Sequence, residues 1–147
     1  MAMALMRKHV QNLGLADEWR VDSAGTWATE GIGATDLAIE VMQEQGLSLD
    51  EHRSQKVTQE MMMAYDLILV MVSNHKEALQ VEFPDQAHKV FLMSEIVGET
   101  YDIDDPIGMP LDDYRATAEM IAGIIKEGWG RIVELGSRGA WVQGRGE

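Results

Sequence analysis

Acidic residues suited to proton transfer are concentrated in one loop of the sequence, at Asp104-Asp105-Pro106. The loop is flanked by glycine and directly precedes a predicted helix, so it can hold a carboxylic acid over the end of a strand as a general acid. The alternative interpretation is a solvated acidic turn. The residues of the loop alone leave both interpretations open.

Two other polar residues, His52 and Ser23, are candidates for bracing a site. His52 lies in a polar loop after the second predicted helix, where it either braces that loop or lies on the surface. Ser23 belongs to Val-Asp-Ser-Ala-Gly-Thr, and its hydroxyl either supports a neighbouring loop or belongs to an ordinary turn. The histidines show no H-x-H or H-E-x-x-H spacing, so we expect no metal site and no other cofactor.

The chain contains no cysteine, which excludes disulfides, thiolate metal sites and cysteine nucleophiles. No serine stands in G-x-S-x-G, and neither G-x-x-x-x-G-K-[ST] nor G-x-G-x-x-G opens a helix after a strand. A carboxylic acid without a nucleophile or a phosphate cradle cannot carry out group transfer alone. The sequence therefore offers an acid and no visible partner for it.

Apolar periodicity predicts five helices and three strands that alternate along the chain. The predicted helices cover about 5–13, 35–45, 59–63, 74–81 and 110–135. Thr58 is the predicted N-cap of the third helix, whose Met61, Met62 and Met63 face inward, and Ser73 is the predicted N-cap of the fourth. The predicted strands are Arg20–Ala24, Leu67–Met71 and Lys89–Met93. The uninterrupted run Leu67–Met71 is typical of a strand buried on both faces.

This alternation predicts an α/β protein with a flavodoxin-like open parallel sheet and helices on both faces, in three layers. In such folds ligands bind at the carboxyl ends of the strands. We expect one domain over residues 1–136, followed by a disordered tail over 137–147. Glycines 123, 128 and 130 predict that the second half of the last helix bends or frays.

The amino-acid composition of the chain limits the kinds of partner that it is expected to bind. The net charge of -13 comes from 25 acidic and 12 basic residues, which argues against binding to nucleic acid or to an anionic membrane surface. No apolar run approaches the roughly 18 residues that span a bilayer, and the first residues do not form a signal peptide. We expect a cytoplasmic protein.

Several short motifs, in this order and spacing, resemble the low-molecular-weight protein tyrosine phosphatases. They are ALMRKHV, WRVDSAGT, the loop histidine of LSLDEHRSQ, AYDLILVM and DIDDPIG followed by LDDYR. Members of that family begin with a strand and a C-x5-R-S/T-P loop that binds phosphate and supplies a thiolate, and their first helix follows directly. The resemblance implies that this chain starts about one residue past that loop, through a lost start or a truncation.

The resemblance also assigns roles to residues. It makes Asp105 the general acid that protonates the leaving group and later activates water. It makes Ser23 and His52 the residues that brace the phosphate loop. Ile107 and Gly108 stand where animal members carry two aromatic residues, and a single apolar residue there resembles the bacterial branch that includes protein-arginine phosphatases. The substrate is then a phosphoprotein or a small phosphate ester, with phosphotyrosine and phosphoarginine both open.

Two consequences follow from the missing segment. Without the thiolate loop we expect no catalysis, so the chain is either a phosphatase that has lost its start or a pseudo-phosphatase that binds or regulates. An unrelated flavodoxin-like or receiver-type domain is the third hypothesis. The missing strand is central in the family's four-stranded sheet, so we expect a rearranged sheet or an intertwined homodimer in preference to insertion of the tail around Trp141 and Val142.

Overall fold

The computed structural model describes residues 1–24, 35–49 and 55–136, so His52 and the tail over 137–147 lie outside the described residues. The chain forms two compact units. The first unit comprises Met1–Lys56 and Asp105–Lys126, and the second comprises Val57–Asp104 and Glu127–Glu147. The disordered tail and the single domain over 1–136 stay predictions.

In its described residues, the first unit consists mainly of three helices. They are α1 (Ala2–Asn12), α2 (Asp36–Glu44) and most of α5 (Leu111–Glu127). Thr35 is the N-cap of α2, where its Oγ1 accepts a hydrogen bond from the N–H of Ala38 at 3.4 Å. Gly14 and Gly46 follow the first two helices with φ of 72° and 75°, the left-handed conformation that favours glycine after a helix. The predicted helices at these three places in the sequence are confirmed.

The core of the first unit follows the predicted apolar faces of these helices. Its buried side chains are Ala4, Leu5, Val10, Ala38, Val41, Met42, Leu49, Tyr114, Ala118, Ile121, Ile124 and Ile125. Their spacing of three or four residues within each helix produces one apolar stripe per helix. An ion pair on the surface joins α2 to α5, where Arg115 donates to both carboxylate oxygens of Glu44.

The second unit contains the sheet. Strands β1 (Ile68–Val70) and β2 (Val90–Leu92) pair in parallel, with Ile68 opposite Val90. Helices α3 (Gln59–Ala64) and α4 (Ser73–Glu82) and 3₁₀ helices over Pro84–Lys89 and Met93–Val97 surround them. One hydrophobic cluster consists of Met62, Leu79 and Val90, packed by Val57, Ile68, Val70 and Phe83. The α/β crossover between parallel strands is the one that the sequence predicts.

Two strand predictions need correction. Residues 20–24 form no strand, and all three residues of β1 are half-buried although burial on both faces was predicted. Both differences accompany a small sheet. In the described residues β1 pairs with β2 alone and so lies at an edge, and a strand-forming sequence needs a partner to form a ladder. Residues 20–24 thus have strand propensity but take part in no ladder of the described residues.

Two smaller predictions also differ from the structure, and one about the last helix agrees with it. Met63 is 57% exposed, because α3 is only six residues long and turns Met62 alone fully inward. Ser73 is the first residue of α4, and the N-cap is Val72. The predicted last helix is interrupted by a turn at Gly128 and resumes over 129–136, as the glycine content indicated.

No helix in the described part of the chain is both long and apolar enough to span a membrane.

Candidate functional site

Asp105 is the first residue of the second segment of the first unit, Asp105–Lys126. Its carboxylate is exposed, and Oδ1 accepts a hydrogen bond from the N–H of Ile107 at 3.0 Å. The N–H of Met109 donates to the carbonyl of Pro106 at 2.9 Å, and Gly108 has φ of 81°. These bonds form a tight turn in which Pro106 fixes one backbone angle and Gly108 accepts a conformation that other residues resist.

The amino terminus of α1 lies within the electrostatic reach of Asp105. Burial lowers the pKa of the Met1 ammonium, and the negative charge of Asp105 opposes that effect. Met1 is the N-cap residue of α1, and no acidic residue occupies the first turn of this helix. Free N–H groups and the helix dipole give this end of α1 a partial positive charge. Asp105 and the start of α1 are therefore brought together in the first unit.

Ser23 is half-buried, and its carbonyl accepts a hydrogen bond from Nε2 of Gln55 at 2.7 Å. Two residues earlier, the carbonyl of Val21 accepts one from Nε of Arg7 at 2.8 Å. Side chains thus satisfy backbone groups of this segment that a neighbouring strand would otherwise bond. In the described part of the chain no hydrogen bond joins Ser23 to Asp105 or Ile107. The bracing roles of Ser23 and His52 remain predictions.

Sequence reasoning missed the residues that hold the chain just before Asp105. Oγ of Ser94 donates to the carbonyl of Tyr101 at 2.8 Å and accepts from its N–H at 3.0 Å. Oδ1 of Asp102 accepts from the N–H of Ser73 at 2.8 Å. These contacts join residues 7 and 29 positions apart, so no local pattern could reveal them.

The arrangement can deliver or accept a proton at Asp105 beside the N-terminal end of a helix, a place that favours anions. It supplies no attacking group, because the sequence has no thiol. In the described ranges no cluster of three or more histidine or acidic side chains is arranged to hold a metal ion. The fold and the site together define an α/β protein of flavodoxin-like type, with the exposed carboxylate of Asp105 within electrostatic reach of the start of its first helix.

Comparison with known proteins gives the family. The sequence model of the family described as "Low molecular weight phosphotyrosine protein phosphatase" matches residues 1–129. The probable low molecular weight protein-tyrosine-phosphatase EpsP of Ralstonia nicotianae is 35% identical over 136 residues, which are 92% of this chain and 88% of EpsP. The protein-arginine-phosphatase of Bacillus subtilis is 33% identical over 128 residues, 86% of this chain and 83% of the relative. The chain belongs to the low molecular weight phosphotyrosine protein phosphatase family.

Solved structures agree with this assignment. A mutant of the YwlE arginine phosphatase with a phosphorylated active-site serine superposes with a TM-score of 0.84 at 30% identity, over 90% of this chain and 86% of that one. The low molecular weight protein tyrosine phosphatase from T. tengcongensis gives a TM-score of 0.81 at 35% identity, over 86% and 85% of the two chains. The predicted flavodoxin-like α/β fold and the family resemblance are both confirmed.

Proposed function

We propose that this chain is the scaffold and acid-supplying part of a phosphoprotein phosphatase that cleaves phosphotyrosine or phosphoarginine, and that its 147 residues alone hydrolyse neither. The observation that carries the proposal is the position of Asp105, exposed in a tight turn and within electrostatic reach of the start of α1. The absence of any cysteine supports the second half of the proposal.

The turn around Asp105 suits a general acid. The Ile107 N–H occupies Oδ1, so Oδ2 is the oxygen that carries the proton. In the family reaction a thiolate forms a bond to phosphorus while the bond from phosphorus to the leaving oxygen or nitrogen breaks, and the Asp105 proton goes to that leaving atom. The resulting carboxylate then takes a proton from the water that hydrolyses the phosphoenzyme. This chain has no thiol for the first step, so neither step proceeds.

Ile107 is the residue next to Asp105 best placed to meet a substrate. Its side chain is 64% exposed, and its own backbone N–H is already engaged with Asp105. An exposed apolar side chain beside the acid offers contact to the flat ring of a phosphotyrosine or to the methylenes of a phosphoarginine. Relatives named protein-tyrosine-phosphatase and relatives named protein-arginine-phosphatase both occur, which supports keeping both substrate classes.

A fusion that adds the family's N-terminal strand and C-x5-R loop before Met1 tests the role of Asp105. We expect the fusion to hydrolyse p-nitrophenyl phosphate, and Asp105→Ala to lower kcat by about 10²–10⁴, the usual contribution of a positioned acid. The loss should be larger with phenyl phosphate, because its poorer leaving group depends more on protonation. Asp104→Ala is the matched control and should leave kcat within about twofold. An active fusion that is insensitive to Asp105→Ala would contradict the proposal.

The same fusion separates the second hypothesis, a pseudo-phosphatase that binds or regulates. This hypothesis is favoured by the combination of a family-like fold with a sequence that lacks any thiol. A pseudo-enzyme has been released from the need to keep its acid and bracing residues functional. A folded fusion with the complete C-x5-R loop and no turnover would therefore favour this hypothesis over the first.

A homodimer is the assembly that we propose for the isolated chain. Among the residues that the structure describes, strand β1 pairs with β2 alone, its apolar side chains are half-buried, and residues 20–24 form no ladder. Unpaired strand edges favour association with another chain. Light scattering after size exclusion should give twice the mass of 16.4 kDa. The mass of a single chain at micromolar concentration would contradict the dimer.

A further inference from the structure

Tyr101, Asp102 and Ile103 precede the acid loop in the sequence, and each of them is held by a hydrogen bond. Ser94, which is 0% exposed, bonds both backbone groups of Tyr101 through its hydroxyl. The N–H of Ile103 donates to the carbonyl of Met71 at 2.8 Å, and the Ile103 side chain is buried. The acid loop therefore starts from a fixed stretch of backbone.

Asp102, the middle residue of this stretch, makes its bonds through its side chain. Oδ1 accepts from the backbone N–H of Ser73 at 2.8 Å, and Oδ2 accepts from the hydroxyl of Ser73 at 3.4 Å. Helix α4 begins at Ser73, and its N-cap residue Val72 has no oxygen in its side chain. Asp102 thus supplies, from 29 residues away, the carboxylate that the start of α4 lacks locally. The helix dipole strengthens this bond because the carboxylate is negative.

We propose that Asp102 is a positioning residue for the acid Asp105: by binding the start of α4 it fixes the point from which the chain runs into the acid turn. Only Asp104 separates Ile103 from Asp105, and a residue spans at most about 3.6 Å, so the Cα atoms of Ile103 and Asp105 lie within about 7 Å. An anchor this close limits the directions that the Asp105 carboxylate can take. The inference rests on the proposed acid role of Asp105.

The competing explanation is that Asp102 serves only the stability of α4. Ser73→Pro separates the two explanations, because proline removes both donors to Asp102, the N–H and the hydroxyl. Proline is well tolerated as the first residue of a helix, and Val72 already has φ of -127° and ψ of 148°, the extended conformation that a residue before proline prefers. Helix α4 should therefore survive this substitution while Asp102 loses its partners.

The readout is the chemical shift of the Ile107 amide proton, followed by NMR in the 147-residue chain as the pH is lowered. Since this N–H donates to Asp105, its chemical shift should change as the carboxylate is protonated. We expect Asp102→Ala and Ser73→Pro to reduce that change to half or less. Asp104→Ala removes the same charge from the same loop and should leave the change at the wild-type size.

Full-size titration of the Ile107 amide in Ser73→Pro, with the amide pattern of α4 intact, would overturn the proposal. An equal reduction in Asp104→Ala would also overturn it, because the effect would then follow from charge alone. If Asp102→Ala does not fold, Ser73→Pro still decides the question. These results do not depend on whether Asp105 acts as an acid, which the fusion and its Asp105→Ala variant test separately.

Discussion

Removal of the Ser94 hydroxyl is a direct test of how the acid loop is held. Ser94→Ala deletes one oxygen atom from a fully buried side chain and leaves the N–H and the carbonyl of Tyr101 without that partner. A buried backbone group without a partner costs about 1–3 kcal/mol. Tyr101 is 37% exposed, so water can reach part of its surroundings. We therefore expect a loss of about 2 kcal/mol in the free energy of unfolding for the two groups together.

Urea unfolding followed by circular dichroism measures this loss, with an unchanged slope against urea. In a chain of this size about 2 kcal/mol corresponds to a fall in Tm of about 4–8 °C. The matched control is Thr117→Ala, because the Thr117 hydroxyl also donates to a backbone carbonyl, that of Asp113, but lies exposed on α5. We expect the control to stay within about 0.5 kcal/mol of the wild type. A Ser94→Ala protein as stable as the control would refute the reasoning.

Two further predictions concern charged side chains. Lys89→Met should lower the free energy of unfolding by about 1–3 kcal/mol near pH 7, because Nζ donates to the terminal carbonyls of Met62 and Met63. Burial lowers the pKa of Lys89, so its ammonium loses a proton at a lower pH in the folded state than in the unfolded state. The stability of the wild type relative to Lys89→Met should therefore rise with pH up to about 10.5, and paired denaturation curves at several pH values measure this rise. Arg115→Gln should raise the pKa of Glu44, because the hydrogen bond from Arg115 is the largest cause of its lowered value, and carbon-detected NMR titration measures this change.

The helices were predictable from the sequence because their signals are local. In the last predicted helix, apolar residues recur at helical spacing and are all buried in the structure: Tyr114, Ala118, Ile121, Ile125, Ile132 and Leu135. The caps Thr35 and Thr58 and the stops Gly14 and Gly46 depend on backbone geometry within a few residues. Such features follow from the spacing of residue types alone.

The strands and the anchors of the acid loop depend on residues far away in sequence. Residues 20–24 have strand propensity, but a strand requires a partner, and no pattern within the segment reports whether one is present. Ser73 was the reasonable local N-cap for α4, whereas the structure uses Val72 with Asp102 from another part of the chain. The turn at Asp105-Pro106-Ile107-Gly108 was visible in the sequence because Asp, Pro and Gly are local turn signals. The role of Asp105 as general acid is implied by the family resemblance and stays a prediction.

Turnover of p-nitrophenyl phosphate by the 147-residue chain, without any added segment, tests the central claim most directly. We predict a rate equal to the buffer background, because no side chain of this chain can become a thiolate. A rate clearly above background in the wild type that disappears in Asp105→Ala would contradict the account, since it would require an attacking group other than cysteine.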